Sequence, residues 1–546
     1  MFPVFRLLVL LFNISSSSSS SSFPPPLTYA CHPAKASECK KHPFVPGHSL
    51  LGLGFNVVTL KRTGAYNIDI HSYLDQEQTC TLCSNPHRKN AKQKLPRAIQ
   101  DWRPYTSCSK KVTSESTRSS LSMAQEASSG VQNDWKAGLE LQHHAGNAKL
   151  VLAGSQSEVT KFTEGKSNQD RYSFLRHQLR CLYYSLRLTY EPPLSRQFKK
   201  HIRELPQSYQ ANTREKFYRF IEAFGTHYIS HADVGGQATE VTAIRTCRAT
   251  MDGLSLDELK DCLSVEASAS VTGKVEANAE AKACKEMSQK ATHGEGFHRT
   301  FNEREWQISG GKASYSLLSF DENNSGGSTA FEEWMESLKT HPEIVTYSLE
   351  PIHNLVRGKG PQRENLRDSV SDYIMEKALR KNCSCPGSSH PNQGAECSCV
   401  CNQSSDRNAN CCPTRRGIAK LVVNVNKASG LWGDYSSKTD AFVKMIFGGK
   451  ETVTPTVWNS DNPTWNERFD LGVVELNSAS QITIEVWDED NKYDDDRLGS
   501  CKKPLTSGQS TEVCYCDNGR LDYALSVTCV PHLTGPSCRD YAPSKE

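Results

Sequence analysis

Five aspartates carry the sharpest chemistry in this chain. Asp434 and Asp440 stand six apart in one polar loop, and Asp488, Asp490 and Asp496 follow at spacings of two and six in another. Carboxylates gathered on two facing loops repel one another unless a cation neutralises them, and ligation by oxygen alone suits Ca²⁺. Asp494 and Asp495 crowd the second loop, which leaves the share of each aspartate in binding open. Ligands must be deprotonated to bind, so Ca²⁺ binding is expected to weaken as the pH falls. Trp432, Tyr435 and Tyr493 lie in the same two loops. Aromatic rings at loop tips favour the membrane interface, where they sit at headgroup level. The alternative role for them is packing within the loops. A metal held there would leave coordination positions for lipid phosphate oxygens.

Such loops need strands to hold them. The stretches Ala419–Val425, Ala441–Phe447, Phe469–Val473 and Gln481–Val486 are apolar runs separated by polar turns, the pattern of an all-β domain. With Asn462-Pro-Thr-Trp-Asn-Glu and Arg497-Leu-Gly, residues 413–526 resemble a C2 domain, an all-β sandwich, followed by a tail over 527–546. Seven cysteines between Cys383 and Cys412 sit in a stretch with little apolar content. A module that small must be held by disulfides, and it resembles an EGF-like module over 383–412.

Composition bounds the rest. A chain of 546 residues exceeds one core, and a formal net charge of +3 with 23% charged residues implies no nucleic-acid partner. Twenty-one cysteines favour an oxidising secretory route. Zinc is the competing use of Cys80-Thr-Leu-Cys83 and the Cys383–Cys412 cluster, but a leader over 1–30 favours disulfides: Arg6, then the apolar Leu7–Ile14, then serines, prolines and Ala30. No apolar stretch is long enough for a transmembrane helix. Asn323, Asn382 and Asn402 open glycosylation sequons. No GxSxG, HExxH or P-loop pattern points to an enzyme, and a lone His227 after a helix stop reads as structural.

Residues 31–382 remain for the first domain. Its centre is the run Tyr218–Gly236. Phe217, Phe220, Ile221 and Phe224 repeat at helical spacing over Arg214–Phe224, and Gly225 stops that helix in a left-handed conformation. Thr226, Tyr228 and Ile229 read as a short strand, broken at Gly235-Gly236. Period-two alternation predicts strands from Trp135 to Leu141 and from Leu182 to Tyr190, with Gly154–Arg180 helical in part and the Ser-rich Lys110–Glu126 on the surface. From Leu263 to Ala283 odd positions are apolar or small and even positions polar, as a membrane β-strand requires. Yet Glu276–Ala291 is rich in helix formers. One segment can therefore be helical in water and strand in lipid; the competing reading is a hairpin of an ordinary sheet. Open sheet edges cannot sit in hydrocarbon, so two inserted hairpins require many copies to close a ring. A strand over 313–320 and helices near 332–338 and 363–380 complete the domain.

The pattern Tyr218-x-Phe220-x3-Phe224-Gly225-Thr226-His227-Tyr228, with Gly235 and Gly236, resembles the signature of the membrane attack complex/perforin (MACPF) pore-forming family. Asn133-Asp-Trp, Gln169-Asp-Arg-Tyr-Ser-Phe, Thr246-Cys, Leu349-Glu-Pro and Gly430-Leu-Trp-Gly-Asp are similar to phrases of its perforin group, as is the order MACPF, EGF-like, C2. The resemblance implies an α+β fold: a bent central antiparallel sheet with flanking helical clusters, then the disulfide-rich module and the C2 sandwich. It implies a secreted cytolytic protein stored in granules, which binds target-cell phospholipid through Ca²⁺ and C2. Assembled into a homo-oligomeric ring, such a protein unfurls clusters within about 134–190 and 245–310 into a barrel and passes granule proteases. A non-lytic Ca²⁺-dependent adhesion protein of the same family is the alternative. The pairing it implies is Cys31–Cys83, Cys39–Cys80, Cys108–Cys181, Cys247–Cys412, Cys262–Cys284, Cys383–Cys397, Cys385–Cys399, Cys401–Cys411, Cys501–Cys514 and Cys529–Cys538, with Cys516 left over.

Overall fold

A computed structural model describes residues 31–109, 111–141, 149–272, 303–312, 327–358, 360–381, 385, 389–391, 399–433, 435, 437–490 and 495–544. The leader, the sequons at Asn323 and Asn382, the strand expected over 313–320 and the helix-rich 276–291 lie outside the described residues.

The first body is built on an antiparallel sheet. Its eight strands include β1 (Leu53–Asn56), β2 (Ile99–Cys108), β3 (Thr113–Thr117), β4 (Tyr172–Leu188), β5 (His227–Arg245), β6 (Glu303–Ser309) and β7 (Glu343–Pro351). β4 and β5 run side by side from Arg187↔His231 to Tyr172↔Arg245. β2 and then β3 line the outer edge of β4, while β7 and then β6 line that of β5. Its helices include α1 (Ser120–Ala127), α2 (Glu158–Ser167), α3 (Arg214–Phe224), α4 (Leu256–Thr272), α5 (Gly327–Leu338) and α6 (Pro361–Ala378).

The upper half of this sheet is covered on both faces. Tyr172, Phe174, Val241 and Ala243 pack with Met123 of α1 and Val159 of α2. Leu175 and Ile244 point the other way and pack with Leu259 and Leu263 of α4. Two expectations change here. Lys110–Glu126 is no plain surface stretch: it supplies an edge strand and a helix that buries Met123 and Ala124. Gly154–Arg180 is helical only in α2, because its last third continues as the first half of β4.

The segment from Trp135 to Leu141 forms turns rather than a strand. The Asn133 amide brackets the Leu349 backbone, donating to its carbonyl and accepting from its N–H at 2.8 Å each, and Gly138 turns at φ +80°. Within the turn the Lys136 N–H donates to the Asp134 carboxylate at 3.1 Å, a local bond that competes with a strand ladder where the alternation would place one.

The second body is a sandwich of two four-stranded sheets. Its strands are β8 (Ile418–Ser429), β9 (Ala441–Phe447), β10 (Lys450–Val453), β11 (Thr464–Glu475), β12 (Gln481–Asp488), β13 (Asp496–Pro504), β14 (Gly508–Tyr515) and β15 (Arg520–Cys529). They pair in the orders β11-β8-β15-β14 and β10-β9-β12-β13. Alternate residues such as Leu421, Val423, Val425, Ile482, Ile484 and Val486 are fully buried between them.

The disulfides among the described residues are Cys31–Cys83, Cys39–Cys80, Cys108–Cys181, Cys247–Cys412, Cys385–Cys399, Cys401–Cys411, Cys501–Cys514 and Cys529–Cys538. Cys284, Cys383 and Cys397 lie outside the described residues, and with them the pairs Cys262–Cys284 and Cys383–Cys397. Cys516 is a free thiol.

The two bodies are stitched together. Cys412 is bonded to Cys247, just after β5, and Arg416 pairs with Asp252 at 2.6 Å. The C-terminal tail returns to the turn before β4. There Asp170 accepts from the Arg171 and Ser544 N–H groups and from the Tyr541 hydroxyl, and it pairs with buried His532 at 3.3 Å.

Candidate membrane-insertion and cation sites

The signature run is a joint. α3 buries Phe217, Phe220, Ile221 and Phe224 and ends where the Gly225 N–H reaches the Ile221 carbonyl at 2.7 Å. Gly225 has φ +87° with an extended ψ of 172°, so it exits the helix directly towards a strand rather than through a left-handed helical turn. A side chain at this position would lie 2.5 Å from the Phe55 backbone nitrogen. Tyr218 stacks edge-on against Tyr373 of α6, and Tyr228 is buried in the first body's core.

His227 is fully buried and neutral. Its Nε2 donates to the Trp135 carbonyl at 2.8 Å, and its Nδ1 accepts from the Thr226 hydroxyl at 2.8 Å. Thr226 Oγ1 also accepts from the Val57 N–H at 3.0 Å. Burial lowers the imidazole pKa to about 4, against the opposing pull of the Trp135 carbonyl. The residue ties three segments together and reaches no solvent from which to act as a base.

β5 does not break at Gly235-Gly236, as the sequence suggested; it runs through, and the sheet bends there. Register shifts stand at one level across it: Val234/Gly235 against β4, Asp233/Val234 against β7, and Pro104/Ser107 in β2 against β4. α5 sits at this bend, with Phe331, Trp334 and Leu338 buried. A Cβ on Gly236 would meet Trp334 Cζ2 at 2.7 Å and overlap Leu338. Trp334 Nε1 donates to the Gly310 carbonyl at 3.0 Å. The glycines are there for close approach as much as for flexibility.

α4 covers the sheet above the bend. Residues 263–272, which alternate with period two in the sequence, are helical; the ordinary-hairpin reading fails for them. Small alanines and serines satisfy both periods, and packing decides: Leu259, Leu263, Ala267 and Val271 fall on the buried face at helical spacing.

Beside Leu175 and Ile244 the floor under α4 carries a charged cluster, and sequence reasoning missed it. Arg304 of β6 reaches Glu240 of β5 at 2.8 Å and Glu266 of α4 at 3.4 Å. Their side chains are 9%, 2% and 11% exposed. His177 of β4, also buried, lies 3.5 Å from Ser264 of α4. Burial, reinforced by Glu266 and opposed by Arg304, raises the Glu240 carboxyl pKa to about 7. The one sequence signal was a Glu inside an apolar strand run, Ala238-Thr-Glu-Val-Thr-Ala.

In the C2-like body, register brings the candidate ligands together. Ala441 pairs with Asp488 and Asp488 with Asp496, so Asp440, Asp488 and Asp496 end adjacent strands at one edge. Asp488 Oδ1 accepts from the Asp440 N–H at 2.6 Å, and Asp440 Oδ1 accepts from the Asn459 N–H at 2.6 Å. The Asp490 N–H donates to Asp495 at 3.3 Å. Gly433 lets the Asp488 carboxylate in, since a Cβ there would fall on its Oδ2. This all-oxygen donor set, with a cradle only glycine leaves open, fits a hard cation. Asp434, Asp494 and Tyr493 lie outside the described residues. Among the described residues no three His, Cys, Asp or Glu side chains converge closely enough to hold a metal. Trp432 and Tyr435 stand out at the same end, 47% and 96% exposed, edge to face at 4.8 Å.

No helix among the described residues is long and apolar enough to cross a membrane, which says nothing of strands.

The MAC/Perforin domain family matches residues 42–383, and the C2 domain family matches residues 419–516. Perforin-1 of Mus musculus is 40% identical over 527 residues, 95% of each chain. Perforin-1 of Homo sapiens is 38% identical over 519 residues, 94% of this chain and 93% of its own. Complement component C6 of Bos taurus is 27% identical over 301 residues, 53% of this chain and 31% of its own. A bent antiparallel sheet carrying helical clusters, joined to a C2 sandwich and related to perforins along nearly its whole length, places this chain in the membrane attack complex/perforin family of pore-forming proteins.

Proposed function

We propose that this protein is a secreted, Ca²⁺-dependent cytolysin of the perforin type. The observation that carries this is α4: a segment whose sequence alternates like a membrane strand is held as a helix over the middle strands of a bent sheet. In this reading Asp434, Asp440, Asp488, Asp490 and Asp496 hold Ca²⁺ at the C2 edge, with Asp494 and Asp495 beside them. Trp432, Tyr435 and Tyr493 enter the headgroup layer of a target-cell phospholipid membrane. Bound copies then join into a ring. Segments within 134–190 and 245–310 leave their helices and extend β4, β5 and their neighbours into a closed barrel. Closure satisfies every backbone group in hydrocarbon, which a single copy cannot do. Chain organisation follows as a leader over 1–30, the pore-forming domain over 31–382, an EGF-like module over 383–412, the C2 domain over 413–526 and a tail over 527–546. Storage in cytolytic granules and passage of granule proteases through the pore belong to the same reading.

Dye release from phosphatidylcholine vesicles tests it. Leakage is expected with Ca²⁺ and not without it. Calcium-dependent binding without leakage would instead support the non-lytic adhesion protein, and leakage without Ca²⁺ would remove the C2 loops from the mechanism. Calcium titrations at neutral and mildly acidic pH add a second readout: affinity should fall with pH because protons and Ca²⁺ compete for the same oxygens.

A further inference from the structure

The loop after β10 carries a third aromatic at the C2 edge. Trp458 is 61% exposed. It is not a stray surface residue, because its loop is fastened to the candidate cation site on both sides. Val457 pairs with Ala441, the first residue of β9. The Asn459 N–H donates to Asp440 Oδ1 at 2.6 Å, and the Ser460 N–H donates to the Thr439 carbonyl at 2.8 Å. Asp461 takes the other end of the neighbouring loop: its carbonyl accepts from the Leu431 N–H at 2.9 Å, and its carboxylate accepts from the Thr439 N–H at 3.2 Å. The Trp458 loop therefore bridges the start and the finish of the loop that holds Trp432 and Tyr435.

We propose that Trp458 is a third membrane anchor, seated in the headgroup layer of a phospholipid bilayer beside Trp432 and Tyr435. The inference rests on the proposed Ca²⁺-dependent membrane binding and extends it to a loop outside the two that carry the aspartates. The occupant follows from the surroundings. Trp458 is followed by Asn459, Ser460, Asp461 and Asn462, so its own loop supplies polar rather than apolar neighbours. An amphipathic ring with polar neighbours is what the bilayer interface accommodates. Trp432 and Trp458 are the exposed tryptophans among the described residues, and both belong to this edge. The other exposed apolar residues of this body, Val453, Val473 and the pair Val513 and Tyr515, lie on its strands. Because Asn459 grips Asp440, filling of the cation site and placement of Trp458 are mechanically linked.

The test uses the full-length protein and vesicles of phosphatidylcholine with and without brominated acyl chains. Wild type should float with the vesicles in Ca²⁺, and Trp458→Ala should bind about tenfold more weakly, the scale of one ring's apolar area left in water. Trp458→Phe, which keeps an aromatic ring, should fold and bind close to wild type. Bromolipid quenching of tryptophan fluorescence in Ca²⁺ should be smaller in Trp458→Phe than in wild type. Unchanged binding by Trp458→Ala, together with quenching equal in wild type and Trp458→Phe, would overturn the proposal and leave membrane binding through Trp432 and Tyr435 standing. A defect that shows on cells but not on pure lipid would assign Trp458 to a protein partner and overturn it equally. Failure of wild type to bind vesicles in Ca²⁺ would bring down the underlying function and this inference with it.

Discussion

The C2 core and the seat of α4 are both buried, and only the second mixes charged groups into its apolar contacts. Between the C2 sheets lie Leu421, Val423, Val425, Ile482, Ile484 and Val486, all fully buried. Beneath α4 the sheet presents buried His177, Glu240 and Thr242 beside the apolar Leu175 and Ile244. Apolar side chains have no better partner than each other in water, so such a core resists opening. Buried charges do have one: water replaces much of what each gains from the other, and a buried ion pair roughly breaks even. A floor with charges set among its apolar contacts therefore grips a helix less hard than an all-apolar one would. In the proposed mechanism that suits an element that leaves, as the apolar core suits a domain that stays folded while its edge loops engage lipid.

The most direct way to break this contrast is to forbid departure. Ser264→Cys with His177→Cys, in a Cys516→Ser background, can be joined by a short thiol-reactive bridge across the place where the two side chains now meet at 3.5 Å. Calcium-dependent vesicle binding should persist while dye release is abolished. Full leakage from the bridged protein would mean that α4 never leaves. Next in size is Arg304→Met, which removes the guanidinium paired with buried Glu240. Unfolding by denaturant should show a loss of about 3–5 kcal/mol, the usual cost of orphaning a buried charge.

The same seat predicts a pH dependence the C2 core lacks. Burial raises the Glu240 pKa to about 7, well above the 4.5 of a free glutamate. Below pH 4.5 both folded and unfolded forms carry the proton. Between 4.5 and 7 the unfolded chain gives it up first, so the stability this group contributes is lost as the pH rises through that window. Across it the change is of the order of 3 kcal/mol. Neutral Glu240 leaves Arg304 balanced by Glu266 alone, so α4 is held more firmly in mild acid than at neutrality. Glu240→Gln should narrow the difference in melting temperature between pH 5 and pH 8. An unaltered difference would show that Glu240 does not titrate in this range.

How much of this was legible follows the same division. α3 was readable residue by residue, because Phe217, Phe220, Ile221 and Phe224 face one core and the opposite side faces water. The C2 strands were readable for the equivalent reason with period two. β4 was not, over Tyr172–Arg180, because helices cover both of its faces and the alternation vanishes into continuous burial. The polar seat was invisible because Arg304 and Glu240 lie 64 residues apart and neither looks buried from its neighbours alone. The cation edge was legible as composition, whereas Trp458 went unread because its loop carries no candidate ligand; only the bonds from Asn459 to Asp440 and from Asp461 to Thr439 place it there.

The smallest expected effect serves as the control for all of these. Ile484 is fully buried in the C2 core, between the two sheets and far in kind from any charge. Ile484→Val removes one methylene and should cost about 1 kcal/mol through lost transfer energy and a small cavity. No titratable group takes part, so the loss should be the same at pH 5 and pH 8, and vesicle leakage per bound molecule should match wild type. If Ile484→Val instead altered leakage as strongly as Arg304→Met does, stability in general rather than the polar seat would set the readiness of α4 to leave. The contrast between the two regions would then collapse into one common dependence on folding free energy.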